Sequence, residues 1–86
     1  MYLNIGNNIL LNDKDILAVF DLDNTSQSHR TRAYLRRAEQ AGQVTYTNIE
    51  EIPKSFLVCA GRNRHEQRVY ISTLNSQTIA ARLGRL

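Results

Sequence analysis

The sequence has few of the residues from which small domains build covalent or metal cross-links. Its 86 residues include one cysteine, Cys59, and only two histidines, His29 and His65. A single cysteine cannot form a disulfide within the chain, and these spacings match no zinc-binding pattern. A domain this small that lacks both kinds of cross-link often gains stability by associating with further copies. We therefore expect one domain, residues 1–86, that needs no metal or cofactor and forms a homo-oligomer.

Long apolar runs are also missing. No run approaches the ~20 residues that a membrane-spanning helix needs. The opening residues MYLNIGNN lack the charged segment and the long apolar stretch of a signal peptide. A single cysteine suits a reducing compartment. Together these absences indicate a cytoplasmic domain that does not contact a membrane.

The charge of the chain is unevenly distributed. Residues 1–29 hold one lysine and four aspartates, a formal charge of −3. Residues 30–86 hold nine arginines, one lysine and four glutamates, a formal charge of +6. Arginine suits phosphate because its planar guanidinium can donate to two oxygens at once. From charge alone, the second part of the chain is compatible with a nucleic-acid partner and equally with an ordinary solvated basic surface.

Short apolar segments separated by polar turns predict an α+β domain with a mostly antiparallel sheet. Gly6-Asn7-Asn8 suits a hairpin turn because glycine and asparagine tolerate positive φ. The apolar run Ile16–Phe20 predicts a central strand, and Thr25, Ser26 and Ser28 are candidate N-caps of the main helix. The predicted elements are strands at Tyr2–Ile5, Ile9–Leu11 and Ile16–Phe20, a helix to about Ala41, strands at Val44–Thr47, Ser55–Ala60 and Gln67–Ser72, and a short helix at Gln77–Leu83.

One motif suggests an enzyme. The segment Leu17–Thr25, LAVFDLDNT, is similar to the first motif of haloacid-dehalogenase-type phosphatases, whose first aspartate is the nucleophile and whose second is the general acid. Those roles would fall to Asp21 and Asp23. That family also needs a downstream lysine and a further acidic pair, and no acidic pair follows a buried strand here. We therefore expect no catalytic activity, and we expect these carboxylates to end a strand before the main helix.

The basic residues are the remaining candidates for function. Acting together, they could follow a phosphate backbone, although phosphate contacts give affinity and position without reading sequence. They fall into four groups: Lys14; Arg30, Arg32, Arg36 and Arg37; Arg62, Arg64 and Arg68; and Arg82 and Arg85.

Three segments together resemble one known family. They are residues 2–8 with the strand that follows, residues 53–56, and residues 70–83. These segments are similar to RemA/RemB, the extracellular matrix regulatory protein family of Gram-positive bacteria. The segment PKSF and the strand VFD are closer to the RemB branch, and the resemblance covers about residues 1–83.

The resemblance implies a DNA-binding transcriptional regulator of biofilm matrix genes, a ring-like oligomer and a fold related to LytTR DNA-binding domains. In the RemA branch a basic residue in the turn before the central strand contributes to DNA binding, and it corresponds to Lys14. RemA proteins also carry an arginine pair in the loop after the main helix. This chain has Ile52-Pro53-Lys54 there, which leaves Lys54 to take that role.

Two functions follow from these observations. The first is a non-enzymatic regulator that binds double-stranded DNA as an oligomer, so that weak contacts add through multivalency. The second is a protein-interaction or scaffold module whose basic surface meets an acidic protein partner. The phosphate contacts of the first would be Lys14 and Lys54, followed by Arg62, Arg64 and Arg30.

Overall fold

The described residues form six strands and two helices, in the order that the sequence predicts. The computed structural model describes residues 1–22, 29–63 and 65–84. The α+β class and the alternation of three strands with a helix are both confirmed. The elements are β1 (Tyr2–Asn4), β2 (Leu10–Asn12), a 3₁₀ turn (Asp13–Asp15), β3 (Ile16–Asp21), α1 (His29–Gln40), β4 (Val44–Tyr46), β5 (Ser55–Ala60), β6 (Gln67–Ser72) and α2 (Ser76–Leu83).

Four strands form the main sheet, in the order β3-β5-β6-β4. β3, β5 and β6 are antiparallel neighbours, and β4 runs parallel to β6. The mostly antiparallel sheet is therefore confirmed. β1 and β2 form a separate antiparallel hairpin. Its turn contains Gly6, Asn7 and Asn8, all at positive φ (121°, 51° and 62°), as the sequence predicts.

The prediction of a central strand at Ile16–Phe20 is wrong, because β3 lies at one edge of the main sheet. The strand between β3 and β6 is β5, and five of its six residues are buried. In β3 only Ile16 is buried. A continuous apolar run suits a strand covered on both faces. The same run also occurs in an edge strand whose apolar side chains stay exposed, so the run alone does not distinguish the two.

One face of the main sheet is covered by the β1-β2 hairpin and by α2; we call it the hairpin face. A buried serine joins the layers here, since the Ser72 hydroxyl donates to the carbonyl of Ile5 at 2.6 Å. Ile79 and Leu83 of α2 both pack in this cluster. The buried members are at most 5% exposed, and they are Leu3, Ile5, Ile16, Leu57, Cys59 and Ile79.

The opposite face, the α1 face, is covered by α1. Tyr34 and Leu35 of the helix pack on this core, and the tyrosine hydroxyl donates to Oε1 of Gln67 at 2.8 Å. This arrangement sets the helix across the sheet, with its C-terminal end close to β4. The buried members of the cluster are Ala38, Phe56, Val58, Val69 and Ile71.

The ends of the helices follow local sequence signals. Gly42 has φ 71° and its backbone N–H donates to the carbonyl of Glu39 at 3.0 Å, which ends α1 close to the predicted position, about Ala41. Asn75 caps α2 by accepting from the backbone N–H of Thr78 at 2.8 Å. In the described part of the chain, no helix has the length and apolar character needed to span a membrane. The candidate caps Thr25, Ser26 and Ser28 lie outside the described residues.

Candidate nucleic-acid interface

Three cations from separate parts of the sequence meet at one end of the main sheet. Because β3 and β6 both pair antiparallel with β5, the start of β3 lies beside the turn between β5 and β6. Lys14 immediately precedes β3, Arg62 lies in that turn, and Arg68 pairs with Cys59 at the start of β6. All three side chains are exposed. We call Lys14, Arg62 and Arg68 the basic end.

The turn that carries Arg62 is closed by backbone contacts. The N–H of Gly61 donates to the carbonyl of Glu66 at 3.0 Å. A Cβ at Gly61 would lie 2.6 Å from the Cβ of Glu66, so only glycine fits without a shift. The Asn63 side chain accepts from the backbone N–H of His65 at 3.0 Å. Arg64, the other predicted contact in this turn, lies outside the described residues.

Lys14 lies between Asp13 and Asp15 in the sequence, and Asp13 has a cationic partner in the structure. The N-terminal ammonium of Met1 donates to Oδ1 of Asp13 at 3.2 Å. This hydrogen bond lowers the pKa of the Asp13 carboxyl below its usual value. The Asn12 side chain accepts from the backbone N–H of Lys14 at 3.1 Å, which fixes the 3₁₀ turn. The Met1 ammonium therefore offsets the charge of Asp13, which would otherwise weaken phosphate binding by Lys14.

Besides Glu66, which lies in the turn that carries Arg62, Asp15 is an acid beside the basic end. It shares a cavity of about 230 Å³ with Arg62, Arg68 and the buried Cys59. Within the described part of the chain it makes no ion pair with either arginine. Burial, with the charge of Asp15 as a smaller cause, raises the pKa of the Cys59 thiol from 9.0 to about 11. The thiol is therefore protonated at neutral pH, and Cys59 behaves as a small buried apolar side chain.

Lys54, the second residue of the proposed pair, lies at the other end of the sheet. It immediately precedes β5, and its backbone N–H donates to the carbonyl of Ser72 at 2.9 Å. Between Ser55 and Ala60 the strand rises roughly 17 Å, at about 3.4 Å per residue. The structure therefore does not bring Lys54 and Lys14 together within one copy of the chain.

The arginines outside the basic end have different surroundings. Arg82 donates to the backbone carbonyl of Asn4 at 2.6 Å, so it joins α2 to the hairpin. Arg36 and Arg37 are exposed on α1. Arg30, a weaker candidate for phosphate, lies at the start of α1 and lines an apolar groove.

That apolar groove lies between the start of α1 and the β3 edge, and its volume is about 410 Å³. A bulge in β3 turns one side chain outward, since the register with β5 shifts between Ile16 and Ala18. Leu17 is 57% exposed at this bulge, and Phe20 is 44% exposed although its ring stacks on Phe56 at 4.7 Å between centroids. The sequence shows an apolar strand here, but not that part of it stays uncovered.

The structure describes only the first part of the phosphatase-like motif Leu17–Thr25. Asp21 ends β3 and is exposed, and it pairs in register with Ser55. Asp23 lies outside the described residues. In residues 1–22, 29–63 and 65–84, no three His, Cys, Asp or Glu side chains are grouped so that they could hold a metal ion. His29 and His65 are exposed.

Compared with known proteins, the chain matches no family model and no curated protein sequence.

Proposed function

We propose that this chain is a cytoplasmic, non-enzymatic transcriptional regulator that binds double-stranded DNA as a homo-oligomer. The basic end would supply its main phosphate contacts. The resemblance of about residues 1–83 to RemA/RemB supports this proposal and points to biofilm matrix genes as the regulated class and to a LytTR-related fold.

The observation that carries the proposal is the convergence of Lys14, Arg62 and Arg68 at one end of the sheet. They come from two separate stretches of sequence, the turn before β3 and the connection from β5 into β6, and all three are exposed. Cations placed close together attract a phosphate backbone because their binding releases condensed counterions. Arginine adds bidentate geometry to that attraction. Such contacts fix position and affinity, and the bases would have to be read by other groups or through DNA shape.

The oligomer has a specific part in this function. A single copy offers few phosphate contacts at the basic end, and Lys54 lies roughly 17 Å away along the sheet. Several linked copies would place several basic ends on one duplex, and the Lys54 of a neighbouring copy could reach the same DNA. Effective concentration then turns weak single contacts into useful affinity.

A gel-shift titration with duplex DNA at several salt concentrations tests the proposal. We expect binding at low salt that weakens steeply as salt rises. Light scattering on the same samples should give a mass well above the 9.9 kDa of one chain. No binding of duplex DNA at low salt would reject the DNA-binding function.

The rival function, a protein-interaction module, is favoured by a separate observation. Ile49 and Ile52 are 83% and 80% exposed, more than the other large apolar side chains described. Exposed apolar side chains mark contacts between proteins where they form a patch, and Ile49 and Ile52 lie three residues apart in one loop. A wild-type chain that binds no DNA but binds an acidic protein through the basic end would support this rival.

A further inference from the structure

We propose that the loop Ile49–Ile52 of one copy docks into the apolar groove of the next copy, in a head-to-tail contact. This inference rests on the oligomeric part of the proposed function and adds the surfaces that would build the oligomer. It does not depend on DNA binding, so the two can fail separately.

The loop has the apolar side chains that such a contact needs. Ile49 and Ile52 are both at least 80% exposed, and they flank two glutamates. The groove offers the complementary surface, since Leu17, Phe20 and Phe56 line its sheet side. Its volume, about 410 Å³, lies within the range of about 300–1,000 Å³ that is typical of ligand pockets.

The loop is held in place at both ends. Before it, the backbone N–H of Thr47 donates to the carbonyl of Ile71 at 2.9 Å, and the Asn7 side chain donates to the carbonyl of Thr47 at 2.8 Å. Inside it, the Asn48 side chain accepts from the backbone N–H of Glu50 at 2.9 Å. After it, Lys54 bonds to β6. A loop that is already ordered loses less conformational entropy when it docks.

The charges of the two surfaces are complementary. Arg30 is the charged residue among those that line the groove, and it is exposed. Glu50 and Glu51 are exposed on the loop. Within the described part of the chain, none of these three side chains has a hydrogen-bond or ion-pair partner. A docked loop would bring its carboxylates toward the guanidinium of Arg30, which favours this segment over a basic or neutral one.

The two surfaces are made of different residues, although the loop ends close to the β3 edge, where the carbonyl of Lys54 accepts from the backbone N–H of Leu22 at 2.8 Å. The groove opens at the β3 edge of the sheet, whereas the loop leaves β4 at the opposite edge and leads to the start of β5. Neither Ile49 nor Ile52 lines the groove of its own copy. A contact between two different surfaces is heterologous, and repeating it gives a closed ring or an open filament. Each copy in such an assembly uses one loop and one groove.

Complementation between two variants tests this contact. The loop variant is Ile49→Ser/Ile52→Ser, and the groove variant is Leu17→Asp/Arg30→Glu. Leu10→Ser is the control, because Leu10 is 59% exposed on the hairpin, outside both surfaces. Circular dichroism checks that each variant is folded, and sedimentation equilibrium gives its association.

If the loop docks in the groove, wild type and control associate. The loop variant then weakens association about a hundredfold, since each buried isoleucine accounts for about tenfold. The groove variant weakens association as well. Mixing the two variants leaves one intact groove and one intact loop, so a one-to-one pair with twice the 9.9 kDa mass should form.

Three results would overturn the inference: a monomeric wild type, unchanged association in both variants, or no pair in the mixture. DNA binding by a monomeric wild type would overturn the loop contact while leaving the DNA-binding part of the proposed function standing. Association through the loop and the groove without DNA binding would support the loop contact and overturn the DNA-binding part of the proposed function.

Discussion

The two faces of the main sheet differ in how completely they are covered. On the hairpin face, the β1-β2 hairpin and α2 bury a cluster whose members are at most 5% exposed. On the α1 face, the helix packs well against the middle of the sheet but leaves Leu17 and Phe20 about half exposed at the β3 edge. The hairpin face is thus covered more completely, and the α1 face leaves an exposed apolar surface at the β3 edge.

This difference suggests a division of roles within a very small domain. A chain of 86 residues can seal only a limited core. Two covering elements on one face and one on the other leave part of the sheet open. Association through the open part would then add the burial that the single copy lacks.

Replacing matched leucines on the two faces gives the largest expected effect. Leu57→Ala on the hairpin face should lower the free energy of unfolding by about 2–5 kcal/mol, because Leu57 is fully buried and the change leaves a cavity. Leu17→Ala at the β3 edge should cost less than about 1 kcal/mol, because Leu17 is already 57% exposed. Urea unfolding, under conditions where both variants have the same mass, measures the difference. Equal losses would show that the two faces are equally sealed.

The reactivity of Cys59 tests how well the hairpin face is closed. Burial raises the thiol pKa from 9.0 to about 11. At pH 8 the folded protein should therefore hold about a hundredfold less thiolate than an unfolded chain, and a thiol reagent should react correspondingly slowly. Adding guanidinium should restore a normal rate. A fast reaction in the folded protein would mean that this face opens readily.

The raised pKa of the Cys59 thiol makes the free energy of unfolding depend on pH. The thiol is an acid whose pKa is higher in the folded state, so its contribution to stability is full below pH 9. It is lost as pH rises from about 9 to about 11. A Cys59→Ala variant should lose less stability than wild type over this window.

Removing the charge of Asp15 beside the basic end should give the smallest effect. Asp15 shares a cavity with Arg62 and Arg68 and lies next to Lys14. Asp15→Asn should strengthen DNA binding by about two- to fivefold, the order expected for one exposed charge. Fluorescence anisotropy with labelled duplex DNA would detect the change, and Glu39→Gln on α1 is a matched control. Unchanged binding by the Asp15 variant would argue that DNA contacts a different surface.

The sequence predicts local features of the fold well. The turn at Gly6-Asn7-Asn8, the strands at Ser55–Ala60 and Gln67–Ser72, and the C-terminal cap of α1 all follow from nearby residues, because backbone preferences and apolar periodicity act locally. The place of β3 at the sheet edge does not follow from nearby residues. It depends on which strand pairs with β5, a long-range choice that the run ILAVF does not record.

The grouping of the candidate site residues also depends on long-range strand pairing, which nearby residues do not predict. Lys14, Lys54 and Arg62 could each be selected as exposed cations from the sequence. Which of them share a surface depends on strand register, since the pairing of Ile16 with Cys59 brings Lys14 toward Arg62 and leaves Lys54 at the far end. The apolar groove could not be predicted either, because it results from a bulge at Leu17 and from where α1 crosses the sheet.

The salt dependence of DNA binding tests the central claim, that the basic end contacts phosphate, most directly. Anisotropy titrations with one duplex at several salt concentrations should compare wild type with Lys14→Ala, Arg68→Ala and the control Arg36→Ala, an exposed arginine on α1. Light scattering would confirm that all four share one oligomeric state. Each lost contact should reduce the magnitude of the slope of log K against log salt by about one per copy engaged on the DNA. We expect this reduction in the Lys14 and Arg68 variants and not in the Arg36 control. Unchanged affinity and slope in both Lys14→Ala and Arg68→Ala would contradict the claim.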